Sequence, residues 1–296
     1  MRAFLTFGSY RLVGALAGPL PPRVGYGLGR PIGALLRATS PQLRRILACN
    51  LRHVLGPDAS EEEVQSLVRR ACTNIIKGHY DLFRLSRLST EEILGMTRVE
   101  GQGHIEEALS RGKGAILLGA HFGNVDIMIQ VPLALGVPIS TPVEHIQPER
   151  LFQYTLSLRT SHGVHMFPIG GPMMGLYRAL KRGEVIGLAA DRAIDVSTRQ
   201  VEFFGAPASL PEGPVRLALR TGAALIPGFC RRLPDNTFHA CIEPALPLPN
   251  TGDHEADVAA GMKMMVEVLE RVISREPDQW LLAKPVWPMN GCQSNA

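Results

Sequence analysis

The sequence predicts an α/β fold with a mostly parallel central sheet, helices on its two faces, and basic amphipathic helices at the N-terminus. Three observations support this. From about residue 98 onward, short apolar runs alternate with stretches of helical periodicity, the signature of strand–crossover–strand units. The 296 residues are 45% hydrophobic, enough for one large α/β unit or two small ones. Basic charge is concentrated at one end: residues 1–57 hold eight arginines and no Asp or Glu, leaving 23 basic against 27 acidic groups in the rest.

The N-terminal segment comes first. Arg23, Arg30, Arg37 and Arg44 are seven residues apart, nearly two helical turns, so they form a stripe alongside Val24, Leu28, Ile32, Leu35 and Leu36. Pro31 interrupts this helix or opens a new one. The longest charge-free run within residues 1–57, Leu12 to Pro22, is 11 residues, too short to span a bilayer, and it contains Pro19, Pro21 and Pro22. Arginines recur after it, which argues against a cleavable signal. Residues 1–57 are therefore expected to lie on an anionic membrane surface, and residues 58–296 to form the α/β domain. An ordinary solvated, arginine-rich helix face is the alternative. Nucleic acid fits poorly, because the stripe has no lysine and Tyr26 is its only aromatic. The five cysteines show no paired spacing and are expected to be reduced, mostly buried thiols facing the cytoplasm. No clustered ligands suggest a metal site.

Further along, Ser60 followed by Glu61, Glu62 and Glu63 predicts a helix start, with Val64, Leu67, Val68, Ala71 and Ile75 carrying its apolar face to about Leu85. Ser89 opens a short second helix. Strands are expected over 114–120, 138–143, 164–167, 185–190, 224–229 and 238–242, with a short edge strand at 201–204. Helices are expected over 125–135, 148–161, 173–181, 213–221 and 257–275. In such sheets the site lies at the carboxyl ends of the strands.

That location singles out His121-Phe122-Gly123-Asn124-Val125-Asp126. A histidine followed five residues later by an acid occurs about once by chance in a chain of this composition, and His53 with Asp58 is a second instance. His53 ends a basic helix and runs into a Gly-Pro-Asp turn, whereas His121 follows a buried strand and precedes a helix. On a continuous helix the side chains of His121 and Asp126 would point apart. A turn through Gly123, with Asn124 as helix cap, could bring them together. Asp126 would then accept a hydrogen bond from one imidazole nitrogen and leave the other as a base. A His-Asp pair that merely staples the turn fits the same residues.

The segment Gly119 to Asp126 resembles the signature block of the bacterial lipid A lauroyl/myristoyl acyltransferases and the related phosphatidylinositol mannoside acyltransferases, a glycerol-phosphate acyltransferase-like group. Ala190-Asp191-Arg192 is similar to the family's Asp-Arg element and Val201 to Gly205 to its Phe-Phe-Gly element. Leu210 to Pro214, Thr221-Gly222-Ala223 and Pro277-Asp278-Gln279-Trp280 follow in the family's order. The resemblance covers nearly the whole chain.

It implies an O-acyltransferase in which His121 deprotonates a glycolipid hydroxyl that attacks the thioester of acyl-CoA or acyl-carrier protein, with Asp126 orienting the histidine. It implies direct transfer, and no Gly-x-Ser-x-Gly elbow suggests otherwise. The thioester is a co-substrate, and no further cofactor is expected. The resemblance places Glu144 and Arg159 in the acceptor groove. Arg192 suits an anionic headgroup or carrier phosphate, with Asp191 holding that arginine or forming a structural pair. The expected location is peripheral, on the cytoplasmic face of the inner membrane. A silent lipid-binding homologue and an acyl-thioesterase are the competing readings. Glu212 suits a helix-start acid, and Asp195 stands near the family's Asp-Arg-Asp position.

Overall fold

In the computed structural model, residues 2–169, 174–193 and 197–289 are described. The chain runs through α1 (Arg2–Ala17), α2 (Pro22–Gly27), α3 (Gly29–Thr39), α4 (Pro41–Leu55), α5 (Glu61–Leu85), α6 (Thr90–Gly95), β1 (Thr97–Glu100), α7 (Gly103–Ser110), β2 (Ala115–Gly119), α8 (Val125–Ala134), β3 (Ile139–Val143) and α9 (Glu149–Arg159). It continues through β4 (His165–Pro168), α10 (Met174–Lys181), β5 (Val185–Ala189), β6 (Thr198–Phe203), β7 (Ala206–Pro211), α11 (Gly213–Thr221), β8 (Ala224–Arg232), β9 (Phe238–Ile242) and α12 (His254–Arg275).

Seven strands form one sheet in the order β1-β9-β8-β2-β5-β3-β4. Its contacts are parallel except between β8 and β9. Alternate residues of the central strand β2 feed opposite layers, as strand geometry requires. Ile116 and Leu118 pack with residues of α10, α11 and α12. Ala115 and Leu117 pack with residues of α6, α7 and α8. The mixed α/β class with a mostly parallel sheet is therefore as the apolar runs predict.

Local signals hold where expected. At the start of α5 the Ser60 hydroxyl accepts from the Glu63 amide at 3.2 Å, while the Glu63 carboxylate accepts from the Ser60 amide at 2.8 Å. One expectation needs correction. The strand read at 201–204 is not an edge of the main sheet, because β6 pairs antiparallel with β7 in a separate hairpin turned by Phe204 and Gly205, both at positive φ. The apolar residues of that run mark burial and carry no information about strand partners.

The N-terminal helices pack in an unusual way. Gly25, Gly29 and Gly33 lie buried against Tyr80, Lys77 and Thr73 of α5. A Cβ on Gly25 would fall 2.2 Å from the Tyr80 ring, and one on Gly33 would fall 2.9 Å from the Thr73 backbone. The large apolar residues point outward instead. Leu12 (60% exposed), Val13 and Leu16 (65%) on α1, Val24 on α2, and Leu28, Ile32 and Leu35 (61%) along α3 are all exposed. No helix among the described residues is long and apolar enough to cross a membrane.

The segment 1–57 is not uniformly peripheral. Leu47 and Leu51 of α4 are buried with Val64, Leu67 and Val68 of α5. Asn50 ties α4 to the C-terminal segment: its side chain donates to the Lys284 carbonyl at 2.9 Å and accepts from the Val286 amide at 3.2 Å. The cysteine expectation is also corrected. Cys49 is disulfide-bonded, whereas Cys72, Cys230 and Cys241 are free. A disulfide can join segments distant in sequence, which spacing along the chain does not reveal.

Because rigid backbone faces Gly33, the variant Gly33→Ala should lose about 1–3 kcal/mol of stability through overpacking. Denaturant unfolding would measure this, and Gly27→Ala, which has open space around its Cβ position, should lose far less.

Candidate active site

The site is built on the register of β2 and β5. These parallel neighbours pair from Ala115 with Val185 to Gly119 with Ala189, and the Ala190 amide donates to the Gly119 carbonyl at 2.9 Å. Two residues beyond the last pair on each strand stand His121 and Asp191. They meet. The Asp191 carboxylate accepts from the His121 ring at Nδ1, 2.9 Å, and from the His121 backbone amide, also 2.9 Å. It accepts a third bond from Nε1 of Trp280 at 2.8 Å.

Asp191 is fully buried and the His121 side chain is 34% exposed, so the carboxylate faces the interior and the ring opens to the surface. Asp191 lifts the His121 pKa above its ordinary value of 6.5, against the opposing pull of burial and the charges of Arg192 and Arg159. Burial alone would raise the Asp191 pKa, but the His121, Trp280 and backbone donors hold it below the usual carboxylate range. An ionised Asp191 with Nδ1–H as donor leaves Nε2 with its lone pair free.

The turn carrying His121 is clamped along its length. The Leu281 amide donates to the His121 carbonyl at 2.7 Å, the Gly123 amide to the Gln279 carbonyl at 2.7 Å, and the Asn124 amide to the Cys230 carbonyl at 2.8 Å. Gly123 sits at φ +62°, where a Cβ would fall 1.9 Å from the Cys230 carbonyl oxygen, so only glycine fits. The Asn124 side-chain oxygen caps α8 by accepting from the Ile127 amide at 3.0 Å.

Asp126 has a different partner from the one expected. In the first turn of α8 it pairs with Arg159 of α9, Nε to Oδ1 at 2.7 Å, while the ring nitrogen assigned to it bonds Asp191. Asp191 is likewise not the partner of Arg192. Arg192 forms a two-pronged pair with Glu144, which follows β3, at 2.9 and 3.0 Å. This pairing holds the Glu144 pKa below the usual carboxylate range. The fold thus brings His121, Glu144, Asp191 and Arg192 together at the carboxyl edge of β2, β5 and β3, with the Asp126–Arg159 pair beside them.

Several residues here had no role in the sequence reading. Trp280 and Gln279 close the turn from behind. Tyr10 of α1 lies in the field of Arg159 and Asp126, and burial pushes its hydroxyl up to about 12. The ordered Pro-Asp-Gln-Trp motif was the available signal for the first two, and nothing marks Tyr10. Trp287 is buried and stacks on Phe203 with centroids 5.5 Å apart. Glu212 is held down at about 2 by Arg216, Ser197 and Arg199 at the start of α11, consistent with a helix-start acid. Asp195 lies outside the described residues.

A strand-end imidazole, clamped in one tautomer by a buried carboxylate and open on the other nitrogen, has the arrangement that general-base chemistry requires. The chain belongs to the bacterial lipid A biosynthesis acyltransferase family, whose model matches residues 3–288. It is 30% identical to the phosphatidylinositol mannoside acyltransferase of Mycolicibacterium smegmatis over 83% of this chain and 79% of that protein. It is 29% identical to the enzyme of that name in Mycobacterium tuberculosis strain H37Rv over 70% of this chain, a match spanning 66% of that relative's length. It is 25% identical to the lipid A biosynthesis lauroyltransferase of Escherichia coli K12 over 88% of this chain and 84% of that protein.

The raised His121 value and the depressed Asp191 value have a defined consequence for stability. The histidine's contribution is fully present below about 6.5 and is lost as pH rises through its folded pKa; that of the aspartate is present above its unfolded value and is lost as pH falls through its folded one. Titration of the His121 imidazole by nitrogen-15 NMR should give a pKa above 6.5 in the native protein. Asp191→Asn should drop it sharply, and Asp126→Asn should leave it far closer to native.

Proposed function

We propose that this protein is a membrane-associated acyltransferase that moves a fatty acyl chain from acyl-CoA or acyl-carrier protein to a hydroxyl of a lipid A-type or phosphatidylinositol mannoside-type glycolipid. The observation that carries the reading is the clamp of Asp191 on both the ring and the backbone amide of His121. Nε2 of His121 takes the hydroxyl proton as the oxygen bonds to the thioester carbonyl carbon. The tetrahedral intermediate collapses, the C–S bond breaks, and the imidazolium returns the proton to the leaving thiolate. Asp191 stays ionised throughout and stabilises the imidazolium.

Arg159 and Arg192 supply positive charge beside the base, each partly neutralised by its carboxylate. They suit an anionic headgroup or the phosphate of the donor, with Glu144 and Asp126 fixing where each guanidinium points. Family membership and the names of the relatives support acyl transfer to a glycolipid.

The membrane contact is assigned to α1, α2 and α3. Their large apolar residues face outward while glycines face α5, the reverse of a helix packed on a protein core. Arg11, Arg23 and Arg30 are exposed and have no carboxylate within ion-pair distance among the described residues, as contact with anionic headgroups requires. Both candidate donors are cytoplasmic molecules, which supports a location on the cytoplasmic face of the cell membrane.

Two measurements test this. Purified protein incubated with an acyl-thioester should release thiol only when extracted glycolipid is present, and His121→Ala should abolish that release. Release without lipid would identify a thioesterase, and lipid binding without release would identify a silent homologue. Leu12→Glu with Leu16→Glu should weaken sedimentation with anionic vesicles by roughly a hundredfold or more, since each change removes a buried leucine worth about 1.5–3 kcal/mol. Unchanged binding would reject the assignment of this face.

A further inference from the structure

Against Asn124 of the histidine turn lies a buried polar cluster that the proposed chemistry does not use. Asp81 of α5 is at its centre. Its Oδ1 accepts from the Tyr26 hydroxyl of α2 at 2.7 Å, and its Oδ2 accepts from the Asn124 side-chain amide at 2.8 Å and from the Arg232 guanidinium. Arg232 is itself buried, packs over the rings of Tyr26 and Phe238, and is bracketed by Gln279 on its backbone amide and carbonyl at 2.7 and 2.9 Å.

Asn124 is where this cluster reaches the site. Its amide has two ends and one correct orientation. The oxygen must face the Ile127 amide to cap α8, so the NH2 must face the other way, where Asp81 receives it. A carboxylate in that place admits only the NH2 end, because a carbonyl oxygen turned toward it would meet negative charge. Three residues before Asn124 on the same turn is His121.

We propose that Asp81 is a positioning residue for the histidine turn, fixing the Asn124 amide, and that Tyr26 makes this setting depend on the seating of α2. The proposal rests on His121 as the base. It links the helices assigned to the membrane with the turn that carries the histidine, through two side-chain hydrogen bonds. When α2 is displaced, Oδ1 of Asp81 loses its donor, and the carboxylate is held by Arg232 and Asn124 on Oδ2 alone, which loosens its setting.

The test uses full-length Asp81→Asn and Tyr26→Phe, alongside His121→Ala, with thermal unfolding of each. Asp81→Asn presents an amide that fixes no orientation of Asn124. It should lower kcat by on the order of a hundredfold with KM for the thioester within about twofold of native, since a displaced base acts on the transition state and not on ground-state binding. The imidazole nitrogen-15 resonances of His121 should shift. Tyr26→Phe should melt near the native temperature and lower kcat by roughly fivefold, the effect of one lost hydrogen bond. Both variants folded with native kcat and an unmoved imidazole signal would overturn the proposal. If Asp81→Asn does not fold, native kcat in Tyr26→Phe overturns it. If His121→Ala keeps its activity, the base assignment fails instead, and the imidazole spectrum of the other two variants still decides whether Asp81 positions the turn.

Discussion

Asp191 carries a charge out of water, and a buried carboxylate destabilises a fold unless donors replace the hydration it has lost. Three N–H groups do so here, two from His121 and one from Trp280. The arrangement is mutual. The ionised carboxylate holds the imidazole in one tautomer, and the imidazole and indole keep the carboxylate ionised. Trp280 follows the short helical turn Pro277–Gln279, so the fixed imidazole after β2 exists only when the C-terminal segment has closed over the turn. Sequence separation between these groups runs from 70 to 89 residues. Sheet register makes His121 and Asp191 neighbours, and the C-terminal segment brings Trp280 to them.

That dependence on register explains what could be read in the chain and what could not. The strand and helix alternation, the Ser60 cap and the Gly123-Asn124 turn are local properties, and local pattern located most of them within a residue or two, although it gave no sign of β1, α7 or β7 and ended β8 and began α12 three residues off. The histidine was legible because its place after a buried strand is also local. Its carboxylate partner was not. Asp126 is five residues away along the chain, but it starts a helix that leads away toward α9. Asp191 is 70 residues away and stands at the matching position on the adjacent strand. The resemblance to known acyltransferases did mark Asp191-Arg192 and Pro277 to Trp280 as motifs. It left open whether Asp191 holds Arg192 or forms a separate buried pair, because a motif records that residues recur without recording which side chains touch.

The N-terminal helices show the same limit from another direction. The arginines seven apart were visible, and two of the four, Arg23 and Arg30, do lie exposed. The glycines at 25, 29 and 33 were equally visible but carried no meaning until α5 was known to lie against them. Small residues on the buried side bring two backbones close and leave the bulky apolar side chains facing out. In water this forgoes a favourable term, about 25 cal/mol for each Å² of apolar surface left exposed. A bilayer interface recovers it, which is why this inversion of the usual helix pattern is better evidence for a membrane face than the arginines are.

The helix that receives those glycines also supplies Asp81. Gly25, Gly29 and Gly33 run antiparallel along Tyr80, Lys77 and Thr73, and the next residue after Tyr80 is the carboxylate that Asn124 and Tyr26 share. Successive residues on a helix point about 100° apart, so α5 can meet the N-terminal helices with one side chain and the histidine turn with the next. Tyr80 itself donates from its hydroxyl to the Leu20 carbonyl at 2.6 Å, in the link between α1 and α2. Two consecutive residues of one helix therefore bond the N-terminal segment, and one of them bonds the turn as well. A rigid helix packed against both the N-terminal helices and the histidine turn is a short mechanical route by which the seating of one can reach the other.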